Sequence, residues 1–275
     1  MKISFFRKIN SENIKFDEYF KYLTEFDNKI KHISSVGVQK EQFILAMEGL
    51  WNFLISIKNE KIVLEIIGDV RFEKIQQSLS KKWHEYISLI ETDIAEKYLS
   101  DDANVISSAL SEEDYAGVDQ ELSLLDRKLA NLNIVMVGCG PYPETLLEIY
   151  RNNEDINAAI GIEGRYEVTK LSNKVIAKML PFAKNIEVRT SAAEAMDYKD
   201  LDIIFLANGL IKKDVILQRI HETAKNSVRI LVRNPILMGK LLYEDFYTLQ
   251  SGRLFTVCKS KKASKLSEII LLRKK

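Results

Sequence analysis

Along its second half the chain alternates short, uninterrupted apolar runs with longer stretches whose apolar residues recur every three or four positions. The runs at 134–137, 157–163, 186–189, 201–206 and 228–232 predict strands buried on both faces. The stretches between them predict helices, at 144–150, 164–180, 212–222 and 236–249; in the second, Val168, Leu171, Val175, Ile176 and Met179 form one apolar stripe. This alternation implies right-handed crossovers, a parallel sheet, and ligands at the carboxyl ends of its strands. The last part of the chain reads differently. Apolar runs at 253–258 and 266–273 are joined by the polar segment 259–265, too short for a crossover helix but adequate for a hairpin.

The first 130 residues have helical rather than strand periodicity. Phe16, Tyr19, Phe20, Leu23 and Phe26 form one series, and Phe43, Leu45, Met47, Leu50, Trp51, Leu54 and Ile57 a second. A third runs through Ile62, Leu64, Ile67, Val70, Ile75, Leu79, Trp83, Tyr86, Ile87, Ile90, Ile94 and Tyr98, interrupted near Gly68. The aromatic stripes read most simply as core. The expected organisation is a helical domain over 1–130 that covers the active site, followed by a Rossmann-like domain over 131–275.

The first strand and its helix carry the chemistry. Gly138 and Gly140 follow the apolar run directly and permit a sharp turn with close approach of a ligand to the backbone. Pro143 suits the start of a helix, where a missing N–H costs nothing. A dinucleotide fingerprint would place its third glycine there. Proline at this position disfavours NAD or FAD and favours S-adenosylmethionine (SAM), which has no pyrophosphate. Glu163 ends the second strand about twenty residues after the glycines, the spacing at which a carboxylate accepts hydrogen bonds from ribose hydroxyls; the simpler reading is a helix-capping or surface acid. The cofactor-binding set is therefore Gly138, Cys139, Gly140, Pro141, Tyr142, Pro143, Glu163 and Gly164, with Ser191, Ala192, Asn208 and Arg233 at the later strand tips.

Charge adds little direction: 40 basic and 39 acidic residues leave a net +1 over 275 residues, so nothing points to nucleic acid. The lysines of 259–265 read as a solvated hairpin loop. Cys139 and Cys258 cannot build a disulfide framework, and His32, His84 and His221 are too scattered for a metal site. No stretch reads as a signal peptide or membrane span, which gives a cytoplasmic protein as the expectation.

A doubly wound sheet closed by an antiparallel hairpin resembles the class I SAM-dependent methyltransferase fold. More specifically, Val137-Gly-Cys-Gly-Pro-Tyr-Pro-Glu-Thr-Leu146 resembles the glycine-glycine-proline-x-proline turn of nicotianamine synthases and their bacterial relatives that make opine metallophores such as staphylopine. The segment Leu231-Val-Arg-Asn-Pro-Ile-Leu-Met-Gly-Lys-Leu-Leu-Tyr243 is similar to that family's strand-arginine segment. A helical domain ahead of a methyltransferase-like domain is also the family's architecture. The resemblance covers mainly 133–245. The chain departs from it at Asn234-Pro-Ile-Leu, where the family has small and histidine-containing residues, and at Glu163-Gly164, where many relatives have a second acid.

The resemblance implies that SAM is a co-substrate whose 3-amino-3-carboxypropyl (aminobutyrate) group passes to an amine, with release of methylthioadenosine. Orientation decides which carbon next to the sulfonium reacts. Tyr142 would orient the reacting chain, and a carboxylate among Glu112, Glu113 and Asp114 would deprotonate the incoming ammonium. Glu112, Tyr115 and Tyr142 form the catalytic set. Tyr142 packing on the helical domain and Arg233 pairing with a structural acid are the plainer alternatives. The partner is a small-molecule amine or amino acid, with no nucleic acid or membrane, and a homodimer is left open. Competing functions are a small-molecule methyltransferase, an intramolecular cyclase forming azetidine-2-carboxylate, and a non-catalytic SAM-binding module.

Overall fold

The computed structural model describes residues 16–57, 59–100, 118–126, 128–153, 155–246 and 249–275. Its contacts divide the chain into two compact units. Residues up to Leu89 join Pro235–Glu244 and Ser264–Ser267 in one; Ile90–Asn234, Asp245–Ala263 and Glu268–Lys275 form the other. The division thus falls elsewhere than the expected boundary at 130, within a helix, and two later segments return to the helical unit.

The helical unit contains α1 (Phe16–Ile30), α2 (Lys40–Ser56), α3 (Glu60–Gly68) and the first part of α4 (Val70–Leu99). Leu23, Ile30, Phe43, Met47, Leu50, Leu54, Ile66 and Leu79 are fully buried in its core. The interruption read near Gly68 is a pair of helix ends. Asn59 starts α3 by accepting the amides of Lys61 and Ile62 at 3.1 and 3.3 Å. Asp69, extended between α3 and α4, accepts the Arg71 amide at 2.8 Å. The helix read over 236–249 is instead a short 3-10 turn, Leu237–Leu241, with α8 (Leu249–Leu254) after it. Ile236 is extended and donates its amide to the Leu266 carbonyl at 2.9 Å, and Leu237 sits at φ +49°. A Cβ at Gly239 would collide with that same carbonyl. Met238, Leu241 and Leu242 thereby become part of the helical core.

The second unit is built on a seven-stranded sheet, β1 (Asn133–Val137), β2 (Ala158–Glu163), β3 (Ile186–Thr190), β4 (Ile203–Leu206), β5 (Arg229–Pro235), β6 (Phe255–Lys262) and β7 (Ser267–Lys274), in the order β3-β2-β1-β4-β5-β7-β6. β1 to β5 run parallel; Val137 pairs with Ile162 of β2 and Leu206 of β4. Alternation along β1 fills both faces. Ile134 and Met136 pack with Leu146, Ile149, Val175 and Phe205, while Val135 and Val137 pack with Ile204, Ile216, Leu217 and Ile220. Between the strands lie α5 (Glu144–Arg151), α6 (Tyr166–Met179) and α7 (Lys213–Thr223). The hairpin is present and longer than expected, because Lys259–Lys262 continue β6 rather than form a loop. β7 supplies buried Ile269, Ile270, Leu271 and Leu272, whereas β6 is the sheet edge and carries exposed lysines, which discourage further strand pairing.

Candidate functional site

Strand order reverses between β1 and β4, so their connections leave the sheet in opposite directions and open a crevice at the carboxyl ends. The turn after β1 borders that crevice. Gly138 and Gly140 have φ of +78° and +66°, conformations that cost a side chain dearly. Both also lack room: a Cβ at 138 would lie 2.9 Å from Leu210 Cδ2, and one at 140 would strike the Glu91 carboxylate. The turn is fixed on both sides. The Gly138 amide donates to the Ile162 carbonyl at 2.9 Å, and Ser172 Oγ on α6 donates to the Gly140 carbonyl at 2.7 Å.

Cys139 is buried beneath the turn, its Sγ 2.9 Å from where a Cβ of Gly161 would be. Burial, reinforced by the charge of Glu163, pushes its thiol well above the usual range, so the residue is a small packing group and not a nucleophile. Pro141, Tyr142 and Pro143 are buried as well. The Tyr142 ring lies edge-on to Tyr98 of α4 at 6.4 Å, with its hydroxyl 3.9 Å from Met179 Sδ, a packing environment. Pro143 precedes α5 as its capping residue.

Glu163, at the end of β2, holds the Arg165 amide at 3.2 Å and its guanidinium Nε at 3.0 Å. The Ser191 amide donates to the Glu163 carbonyl at 3.0 Å, which brings the β2 and β3 tips together with Ala192 alongside. A Cβ at Gly164 would meet open space, so no close approach requires glycine there. Asn208, after β4, has a buried Oδ1 without a hydrogen-bond partner among the described residues. Arg233 lies within β5 and not beyond its end. It forms a two-point ion pair with the buried Glu121, at 2.5 and 3.0 Å, and donates to Thr145 Oγ1 at 2.7 Å. The structural-acid alternative for this arginine is therefore occupied. Glu112, Glu113, Asp114 and Tyr115 lie outside the described residues.

The acid that meets the turn is one the sequence reading passed over. Glu91 belongs to the part of α4 grouped with the sheet, and Lys178 of α6 anchors the end of that helix by donating to the carbonyls of Tyr98 and Leu99 at 3.0 and 3.2 Å. Glu91 is deep in the protein yet keeps partial solvent access. Burial raises its pKa to about 8; Arg165 and Arg233 oppose this, while Glu163 and Glu144 add to it. A readable signal existed: Glu91 falls on the stripe of Ile87, Ile94 and Tyr98, a carboxylate at a helix position otherwise apolar.

The Glu91 carboxyl group thus lies against the glycine turn, within electrostatic reach of Glu163, and its raised pKa lets it exchange a proton near neutrality. Among the described residues no cluster of His, Cys, Asp or Glu is arranged to hold a metal, and no helix is long and apolar enough to cross a membrane.

No protein-family model matches the chain, and no curated protein matches it. Solved structures do. A glutamate-to-glutamine variant of MtNAS, a nicotianamine synthase, crystallised with S-adenosylmethionine, aligns with TM-score 0.77 over 93% of this chain and 98% of its own, at 15% identity. MtNAS in complex with MTA and tNA aligns with TM-score 0.79 over 94% and 98%, at 16% identity. The pyocyanin biosynthetic protein PhzM aligns at 0.50 over 65% and 61%, with 14% identity. The chain therefore has a methyltransferase-like fold, similar to MtNAS along nearly its whole length.

Proposed function

We propose that this protein is a SAM-dependent transferase that joins the aminobutyrate group of SAM to the nitrogen of a small amine or amino acid and releases methylthioadenosine. The observation that carries the reading is the Glu91 carboxyl group set against Gly140, at the turn where a nucleoside ligand is held in folds of this kind. The residues fit such a substrate. Gly140 keeps its backbone directly against the Glu91 carboxyl group with no side chain between them, and the Asn208 Oδ1, which has no partner among the described residues, offers an acceptor to an N–H group. Glu163 supplies the acceptor for ribose hydroxyls. Its present partner, Arg165, is exposed on a flexible side chain and can yield.

An amine acceptor is protonated at neutral pH and cannot attack. Glu91 removes that proton, a transfer well matched to a carboxylate whose pKa stands at about 8. The freed lone pair attacks the γ-carbon. A C–N bond forms as the C–S bond breaks, its electron pair passes to sulfur, and the cationic sulfonium becomes a neutral thioether. The new nitrogen carries the positive charge until it loses its second proton to solvent. Discrimination between the γ-carbon and the methyl carbon is a matter of which one faces the nitrogen lone pair. Tyr142, packed at Tyr98 and Met179, stiffens the turn that sets this angle. Products of this type combine amines and carboxylates in one chain and suit metal chelation, in keeping with a role in metallophore synthesis. Chromatography of the nucleoside product tests the reading: methylthioadenosine is expected, and S-adenosylhomocysteine would replace the proposal with methyl transfer.

A further inference from the structure

The helical unit has a cavity of its own. Its volume is about 430 Å³, and it is lined by Glu48, Trp51 and Asn52 of α2, Trp83, Tyr86 and Ile87 of α4, and Tyr243. Four of its seven walls are aromatic. Trp51 and Trp83 stack at 5.4 Å and 9°, Trp83 and Tyr86 lie 5.1 Å apart, and Tyr243 meets Trp83 edge-on at 6.4 Å.

The walls are held in place by the fold. Trp83 donates its indole N–H to the Tyr243 hydroxyl at 2.6 Å. The segment before Tyr243 is pinned to α4, by Gln76 donating to the Lys240 carbonyl at 2.5 Å and Ser80 donating to the Leu242 carbonyl at 2.9 Å. Aromatic rings so fixed present π faces and edges without ordering cost on binding.

Charge selects the ligand. Among the described residues Glu48 is the charged group of the lining, it makes no ion pair, and no Lys or Arg contributes to the wall. Its negative charge is felt inside: beside burial, it helps to push the Tyr86 phenol up to about 12. Asn52 lies one residue beyond Trp51 and adds an amide carbonyl, and both it and Glu48 are exposed at the mouth. Aromatic faces with one carboxylate and no competing cation recognise an organic cation with an apolar body.

We propose that this cavity is a binding site for a protonated alkylamine, its hydrocarbon chain against Trp51, Trp83 and Ile87 and its ammonium group at Glu48. Trp51 and Trp83 are the two tryptophans of the chain, so intrinsic fluorescence reports on the site without a label. The test titrates the full-length protein with n-butylammonium chloride, and with 1-butanol as the neutral isostere, following fluorescence and heat. Saturable binding of the ammonium, at least tenfold tighter than any binding of the alcohol, is expected. In Glu48→Gln, a substitution at an exposed position, that preference should fall about tenfold with the unliganded emission spectrum unchanged. Equal affinity for alcohol and ammonium would make the cavity an apolar slot and overturn the proposal, as would wild-type preference in Glu48→Gln or no saturable signal. Because the measurement uses no SAM and no turnover, its failure leaves the transferase reading untouched, and the converse also holds.

Discussion

Replacing Glu91 by glutamine removes one ionisable proton while keeping shape, and both activity and stability should respond in ways set by its environment. With a pKa of about 8, the carboxyl group is ionised in roughly a tenth of free molecules at pH 7 and about half at pH 8. The wild-type kcat/KM should therefore rise about tenfold per pH unit below 8 and level off above it. General-base catalysis contributes about 10²–10⁴-fold, so Glu91→Gln should lose that factor on the plateau, about 2.7–5.4 kcal/mol of transition-state stabilisation. The neighbours set the direction of secondary shifts. Glu163 raises the Glu91 pKa and Arg165 lowers it, so Glu163→Gln should move the limb to lower pH and Arg165→Met to higher pH.

Stability should move the opposite way from activity. A carboxyl group whose folded pKa exceeds its unfolded value keeps its proton in the native state while the unfolded chain has lost it. Its contribution to stability is then greatest below about 4.5, falls across the window from there to about 8, and is flat beyond. Glu91→Gln should thus melt progressively higher than wild type as pH rises through that window, by an amount on the order of a few kcal/mol at its upper end. The measurements are steady-state kinetics and thermal melts from pH 5 to 9.5. A Glu91→Gln enzyme with wild-type turnover, or with a rate limb still near pH 8, would refute the assignment of Glu91 as base.

Gly140→Val should abolish SAM binding in calorimetry while the sheet unit still folds, because the side chain meets the Glu91 carboxylate at a φ of +66°; normal affinity would make the turn purely structural. Glu163→Ala should weaken SAM binding by about 1.5–3 kcal/mol through loss of a charged acceptor, and unchanged affinity would remove it from the ribose site. Glu121→Gln should destabilise the fold by about 1.5–3 kcal/mol in denaturant melts, because Arg233 loses its charged partner; an unaltered midpoint would mean that Arg233 is held by other contacts.

The glycine turn and the parallel strands were legible because they depend on local chemistry: uninterrupted β-rich runs bounded by Gly138 and Gly140, and stripes such as Val168 to Met179. The 3-10 turn at Leu237–Leu241 was not, since the apolar spacing of 236–249 suits a helix and only contact with the Leu266 backbone forbids one. Likewise β6 runs on through Lys259–Lys262 because β7 offers a partner, although the lysines alone read as loop. In the site, Gly138 and Gly140 were identified for their backbone freedom, and the structure adds that Leu210 and Glu91 fill the space a side chain would need. Glu91 and Glu121 lie 47 and 17 residues before Gly138, and proximity over such separations leaves no mark in local pattern. Arg233 was seen as a ligand candidate, but its pairing with Glu121 rests on a tertiary contact.

The central claim is that the acceptor nitrogen attacks the γ-carbon of SAM. It is tested most directly with SAM carrying ¹³C at both the γ-carbon and the methyl carbon, turned over with a panel of amines and amino acids and followed by NMR. The expected result is a new C–N bond between the labelled γ-carbon and an acceptor, with the labelled methyl group retained in methylthioadenosine; a labelled four-membered ring without an acceptor adduct would mean intramolecular cyclisation instead. Appearance of the methyl label on an acceptor, with the γ-label retained in S-adenosylhomocysteine, would contradict it.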